Sequence, residues 1–199
     1  MQLTSKFIDE CLNAHNEFRS LHDSPALVID QELNKYAQER AEHFGKKENV
    51  VKKRDAPYGE NICVTSGFVE PKATIEAWYN QKKYYNFSEE YPLNFSKVKN
   101  FTQLVWKDTR RLGVGLAESG YGKVFLVCCY EPSGNVHGEF LSNVRESSKE
   151  LIRRRMILTD LLRVITDNVS NFTRLHRSLS LHGNRTESPR ITISADRSC

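Results

Sequence analysis

The chain has 199 residues, of which 39% are hydrophobic and 27% charged, and its formal net charge is +4. This composition is ordinary for a globular protein, and the length suffices for one domain with a sizeable core plus an extension. No run of residues is apolar enough to cross a bilayer, which excludes a membrane-spanning helix. The positive charge is concentrated in residues 145–199, which carry 11 Lys and Arg against 6 Asp and Glu.

Two helices are predicted at the start of the chain. Apolar residues recur at helical spacing over residues 5–21. After the Ser24-Pro25 turn, Asp30 is placed to cap a second helix over about 31–45. One side of this second helix carries Leu33, Tyr36, Ala37, Arg40, Ala41 and Phe44.

The middle of the chain contains a short strand and two further helices. Residues 61–65, NICVT, are an apolar strand candidate. Glu70-Pro71 begins a third helix over about 71–85, because proline is well tolerated in the first turn of a helix. Residues 97–107 have apolar side chains at near-helical spacing, which predicts a fourth helix.

Two strands are predicted next. Residues 112–117 alternate leucine and valine with glycine and alanine, and residues 123–130, KVFLVCCY, form a continuous apolar run that suits a strand buried on both faces. Residues 120–122 supply the turn of a hairpin between them. The order of elements predicts an α+β fold in which helices pack on both sides of a small antiparallel sheet.

The character of the sequence changes after about residue 144. Apolar residues recur among arginines over about 147–169, which predicts an amphipathic helix. Residues 174–199 are polar and rich in serine and arginine, and we expect them to be disordered. The sequence therefore predicts a folded domain over residues 5–144 and a basic extension over 145–199.

Four segments, in this order, carry a family resemblance: HNEFR at 15–19, PYGENI at 57–62, WY at 78–79 with YNF at 85–87, and NFTQLVWKDTRRLGVG at 100–115 with YEPSGN at 130–135. Together they resemble the CAP superfamily (cysteine-rich secretory proteins, antigen 5 and plant pathogenesis-related proteins). Their spacing is similar to that of its small Golgi-associated pathogenesis-related members. The resemblance implies an α-β-α sandwich, and nothing in it accounts for residues 145–199.

The resemblance also implies a metal site, in which two histidines and two glutamates around a central cavity hold a cation such as zinc. Glu60 matches one glutamate. Gln81 stands at the second glutamate, Asn100 at one histidine, and Arg54 lies in the stretch that corresponds to the other histidine. A single carboxylate beside neutral amides and a cation cannot bind zinc tightly, so we expect a degenerate site with no metal cofactor.

A structural role is therefore expected for Glu60. It can accept hydrogen bonds from backbone amides, or pair with Arg54 or a nearby lysine. Asn100 can bridge Glu60 and Gln81 by hydrogen bonds, which would replace the metal site with a satisfied polar cluster.

The cysteines and the start of the chain bear on location. Five cysteines, an odd number, without a secretory leader argue against a disulfide framework and for a reducing compartment. We expect an intracellular protein, peripheral to the Golgi or other membranes. The alternative is an extracellular protein whose signal peptide is absent from this isoform, because most of the family is secreted.

The function implied by the resemblance is that of a non-enzymatic module that binds lipid or protein, with sterol or acidic lipid as the ligand class and a role in membrane-linked signalling or defence. A weak hydrolase with a rebuilt site at Glu60 is the enzymatic alternative. The basic stretch 149–165 favours either adhesion to an anionic membrane surface or a solvated or oligomerisation helix, which would give a homodimer. Nucleic acid is not an expected partner, since the arginines lack interleaved aromatic residues.

Overall fold

The computed structural model of the protein describes residues 3–51 and 56–182, with side chains described as far as residue 174. The described elements, in chain order, are α1 (Ser5–Ser20), β1 (Val28–Ile29), α2 (Gln31–Lys47), β2 (Gly59–Ser66), α3 (Pro71–Tyr79), a 3₁₀ helix (Asn80–Tyr84), α4 (Phe95–Val105), β3 (Arg111–Glu118), β4 (Lys123–Glu131), α5 (Phe140–Asn143) and α6 (Ser148–His182).

The predicted start of α2 is confirmed, because Asp30 Oδ1 accepts a hydrogen bond from the Leu33 amide at 3.0 Å. The predicted third helix is too long. Regular α-helix ends at Tyr79, and the chain continues as a 3₁₀ helix in which the Tyr85 amide donates to the Lys82 carbonyl at 2.9 Å. Tightening of this kind is frequent at the C-terminus of a helix.

The four-stranded sheet has the order β1-β3-β4-β2. β4 pairs antiparallel with both β2 and β3, which confirms the predicted antiparallel sheet. β1 was not predicted. It pairs with β3 in parallel over only two residues, Val28 and Ile29, and two residues are too few to produce an alternating pattern in the sequence.

Helices cover both faces of the sheet, as the sequence predicted. β4 is buried on both faces, so Cys128 contributes to one apolar cluster and Cys129 to the other. The cluster on one face combines α1, α3 and α4 with the sheet, and the cluster on the other face is built by α2. The architecture is therefore an α-β-α sandwich. Cys11, Cys63, Cys128 and Cys129 are free thiols, and Cys199 lies outside the described residues.

Arg19, in the HNEFR segment, connects α1 to the loops at the end of α4. Its side chain is fully buried and donates to the carbonyls of Pro25, Leu104, Trp106 and Thr109, each at 2.9 Å. Burial lowers the pKa of the guanidinium to about 10, so it stays charged at neutral pH. Hydrogen bonds from a charged donor are about twice as strong as neutral ones, and these four hold the loops in place.

The C-terminal helix α6 extends from Ser148 to His182, beyond both the predicted end at 169 and the predicted start of disorder at 174. Apolar residues continue at helical spacing beyond residue 169, at Phe172, Leu175 and Leu179, which accounts for the longer helix. The remainder of the predicted disordered tail, residues 183–199, lies outside the described residues. The chain divides into two compact units after Leu151, seven residues beyond the predicted boundary at 144.

Candidate functional site

A cleft of about 340 Å³ lies along β2 and beside the first turns of α4. Two of the residues expected at the degenerate metal site, Glu60 and Asn100, line it. The lining is completed by aliphatic, aromatic and polar side chains, namely Val50, Ala56, Tyr58, Ile62, Val64, Phe95, Lys99 and Asn135.

Glu60 is bound by Arg40, a partner that the sequence analysis did not name. Arg40 Nε donates to Glu60 Oε1 at 2.7 Å and one terminal nitrogen donates to Oε2 at 3.0 Å, so both carboxylate oxygens are engaged. Each side chain is only 11% exposed. Hydrogen bonding to the carboxylate raises the pKa of the Arg40 guanidinium. Arg54, the predicted partner, lies outside the described residues.

Gln81 and Asn100 are brought together, but through the backbone of Asn100. Gln81 Oε1 accepts from the Asn100 amide at 3.1 Å and from the Phe101 amide at 3.4 Å. The Asn100 carbonyl accepts from Asn61 Nδ2 at 2.9 Å. We expected the side chain of Asn100 to bridge to Glu60, and the Glu60 carboxylate is instead bound by Arg40. Gln81 binds two backbone amides in the second turn of α4.

A second polar network continues inward from Asn100. His15 Nδ1 donates to the Cys11 carbonyl at 2.7 Å, so in the neutral ring Nε2 accepts from the Tyr130 hydroxyl, also at 2.7 Å. Tyr130 in turn accepts from Asn61 Nδ2 at 3.1 Å. Burial lowers the pKa of His15 to about 4 and raises that of Tyr130 well above its ordinary value, so both groups are neutral at pH 7.

The residues of the cleft do not fit a zinc ion. Both oxygens of Glu60 are bound to a guanidinium, and the oxygen of Gln81 accepts two backbone hydrogen bonds. Over residues 3–51 and 56–174, no group of three or more His, Cys, Asp or Glu side chains is placed to hold a metal ion. That the protein binds no zinc remains a prediction, and the chemistry of its donors supports it.

Sequence reasoning missed the role of Arg40, although one signal was present. Arg40 stands among Leu33, Ala37, Ala41 and Phe44 on the apolar side of α2, where an arginine needs a partner. Its guanidinium also lies 4.5 Å from the ring centre of Phe44. A charged residue on the core side of a helix therefore predicts a buried ion pair, but sequence spacing could not say which carboxylate completes it.

The fold and the cleft together define a class of protein, an α-β-α sandwich with a cleft beside a Gly-Glu-Asn strand. The family described as the cysteine-rich secretory protein family (CAP) matches residues 12–130, more than half of the chain. The chain therefore belongs to the CAP family, as its motifs predicted. Members of this family are generally not enzymes.

Individual relatives agree with this assignment. Golgi-associated plant pathogenesis-related protein 1 of Homo sapiens is 34% identical over 151 residues, covering 73% of this chain and 97% of the relative. Protein PRY2 of Saccharomyces cerevisiae is 36% identical over 141 residues, covering 69% of this chain and 41% of that longer protein. The structure of BmVAL-1 matches with a TM-score of 0.59 at 21% identity, covering 73% of this chain and 85% of that one, and supports the fold.

Proposed function

We propose that the protein is a non-enzymatic binding module that attaches to anionic membrane surfaces through α6. The observation that carries the proposal is the apolar side of this helix. Large apolar side chains are exposed on it, including Leu161 at 54%, Ile165 at 49% and Phe172 at 68%. At 100° per residue, nine of the eleven large exposed apolar residues over 151–172 fall within an arc of roughly 160°, and Ile152 and Met156 lie outside it. An apolar arc of this width is expected of a helix that lies in a membrane interface.

The charge of the same helix suits an acidic lipid surface. Residues 149–165 contain five Lys and Arg against two Asp and Glu, a net charge of +3. Each Lys or Arg near an anionic leaflet contributes about 1 kcal/mol to binding. No helix in the described part of the chain combines the length and apolarity needed to cross a bilayer. Acidic lipid therefore explains the sequence of α6 better than a neutral sterol does.

The enzymatic alternative at Glu60 receives no support from the geometry. A general base or nucleophile needs a free carboxylate oxygen near the reacting atom, and both oxygens of Glu60 are bound to Arg40. Stoichiometric zinc in the purified protein, measured by atomic emission, would contradict the non-enzymatic proposal.

The proposal places the protein at the cytoplasmic face of an intracellular membrane, where anionic lipids are exposed. The names of relatives include both a Golgi-associated protein and a secreted one, so an extracellular membrane surface is the alternative. Protection of the chain from protease added to intact cells, together with co-fractionation with Golgi membranes, distinguishes the two locations.

Sedimentation with vesicles tests the membrane proposal. The full-length chain should pellet with vesicles containing phosphatidylserine, less at high salt, and little with phosphatidylcholine alone. Leu161→Asp combined with Ile165→Asp should abolish binding. Thr159→Asp combined with Thr166→Asp adds the same charge on the polar side and should retain part of it.

Equal binding to neutral and anionic vesicles, or binding that survives the Leu161 and Ile165 changes, would overturn the proposal. The proposal would also be overturned if the protein binds no vesicles and forms a dimer in analytical ultracentrifugation that the Leu161 and Ile165 changes dissociate. In that case α6 would be an oligomerisation helix.

A further inference from the structure

β2 is a long edge strand of the sheet that the described residues form. It has eight residues, Gly59–Ser66, and pairs with β4 on one side. The other side has no strand partner among residues 3–51 and 56–182. Natural edge strands are usually shortened, bulged, or blocked by lysine or proline, and the sequence GENICVTS contains neither residue.

The register shows which backbone groups of β2 face the open side. The Gly67 amide donates to the Gly122 carbonyl directly opposite at 3.1 Å, so this position is a hydrogen-bonded pair of the antiparallel ladder. Such pairs alternate with non-bonded ones, whose amide and carbonyl groups point the other way. Counting back along β2, the residues that direct their backbone away from β4 are Ser66, Val64, Ile62 and Glu60.

The cleft follows this same edge. Glu60, Ile62 and Val64 all line it, together with Phe95 and Asn100 of α4. Val50 and Tyr58 also belong to the lining. A cleft of about 340 Å³ has room for a short extended segment, whereas the whole sheet of a second copy does not fit into it.

The chemistry of β2 favours a peptide backbone as the occupant of the cleft. The one carboxylate among the described lining residues, Glu60, is already bound to Arg40 and offers no free oxygen to a cation. What the edge offers is an alternating row of N–H and C=O groups, whose complement is another extended peptide.

We infer that the cleft binds an extended peptide segment of a partner protein, which pairs with β2 as an additional strand. Backbone hydrogen bonds to Glu60, Ile62 and Val64 give affinity, and the cleft selects side chains at alternate positions. Ile62, Val64 and Phe95 favour an apolar or β-branched side chain at one end. Asn100 and Asn135 favour a polar one at the other. This site is independent of the membrane contact proposed for α6.

A random nonapeptide library displayed on phage and selected on the full-length protein supplies the probe. Each selected peptide is then resynthesised with single N-methyl groups on successive backbone amides. Strand pairing predicts that methylation at every second position weakens binding by about tenfold or more, while the intervening positions change it little. Failure to select any saturable binder, or losses without this alternation, would overturn the inference.

Changes on the protein side provide a second, independent measurement. Val64→Pro removes an amide that faces the cleft without breaking a bond to β4, and it should weaken binding by about tenfold. Val64→Ala keeps the amide and should retain binding within a few-fold. Unchanged binding by a folded Val64→Pro protein would overturn the inference, and if that variant does not fold, the N-methyl series alone decides.

Discussion

At the scale of single residues, Arg40 neutralises the carboxylate of Glu60, which lies at a site that does not fit a metal ion. Both groups are about nine-tenths buried, and each satisfies the other through two hydrogen bonds. Removing one partner of such a pair leaves a charge with poor solvation, and the loss exceeds the net value of the pair. Arg40→Met should therefore lower the free energy of unfolding by about 3 kcal/mol.

Urea denaturation followed by circular dichroism measures this loss. Arg40→Met combined with Glu60→Gln should recover most of it, because neither charge then remains without a partner. The exposed pair formed by Lys72 and Glu17 is the matched control, and Lys72→Met should leave the midpoint within error. A single Arg40→Met variant as stable as the wild type would show that Glu60 is solvated and has no need of its partner.

Because His15 is buried, it makes the free energy of unfolding fall as the pH is lowered. The folded pKa is about 4, against 6.5 for the free side chain, so the unfolded chain takes up a proton well before the folded one. Stability is therefore complete above about pH 6.5 and is lost as the pH falls toward 4, where the loss from this group is about 3 kcal/mol.

The comparison of wild type with His15→Gln isolates this effect. Glutamine does not titrate, so the fall in unfolding free energy between pH 6.5 and pH 4 should be smaller in the variant by that amount, whatever its stability at pH 7. The exposed His43→Gln serves as control and should follow the wild-type curve. Parallel curves for His15→Gln and wild type would mean that the imidazole is not buried in the neutral form.

At the scale of elements, two glycines of β3 set how closely α2 approaches the sheet. A methyl group added at Gly113 or Gly115 would lie 2.3 or 2.2 Å from backbone atoms of α2, which cannot move independently. Gly115→Ala should thus destabilise the fold by about 3 kcal/mol, the upper range for overpacking. Gly120→Ala, where nothing lies within 4 Å, should have little effect on the melting temperature. Equal melting of the two variants would refute a tight contact.

The sequence predicted these elements well because most of them follow from local patterns. The apolar run of β4, the cap at Asp30 and the leucine-valine alternation of β3 are all readable over a few residues. Two features could not be predicted from such local patterns. β1 is too short for a pattern, and the partner of Glu60 comes from α2, twenty residues earlier in the chain. Contacts of this kind depend on tertiary packing, which spacing along the chain does not encode.

For the whole molecule, the boundary between the folded domain and α6 carries a further prediction. Residues just beyond the sequence-predicted limit at 144 make contacts with the body. The Arg145 carbonyl accepts from buried His22 at 2.6 Å, the Ser148 amide donates to the Leu21 carbonyl, and Glu150 pairs with Lys82 at 3.0 Å. The folded domain should therefore need the chain as far as Leu151.

Two truncated proteins test this boundary by thermal unfolding. A chain that ends at Leu151 keeps every one of these contacts and should melt as a single cooperative unit. A chain that ends at Val144 loses them and leaves His22 without the acceptor for Nδ1, which should cost about 2 kcal/mol or more and lower the melting temperature by roughly 5 °C. If both truncated chains melt at the same temperature, residues 145–151 belong to the extension, and the domain ends where the sequence alone suggested.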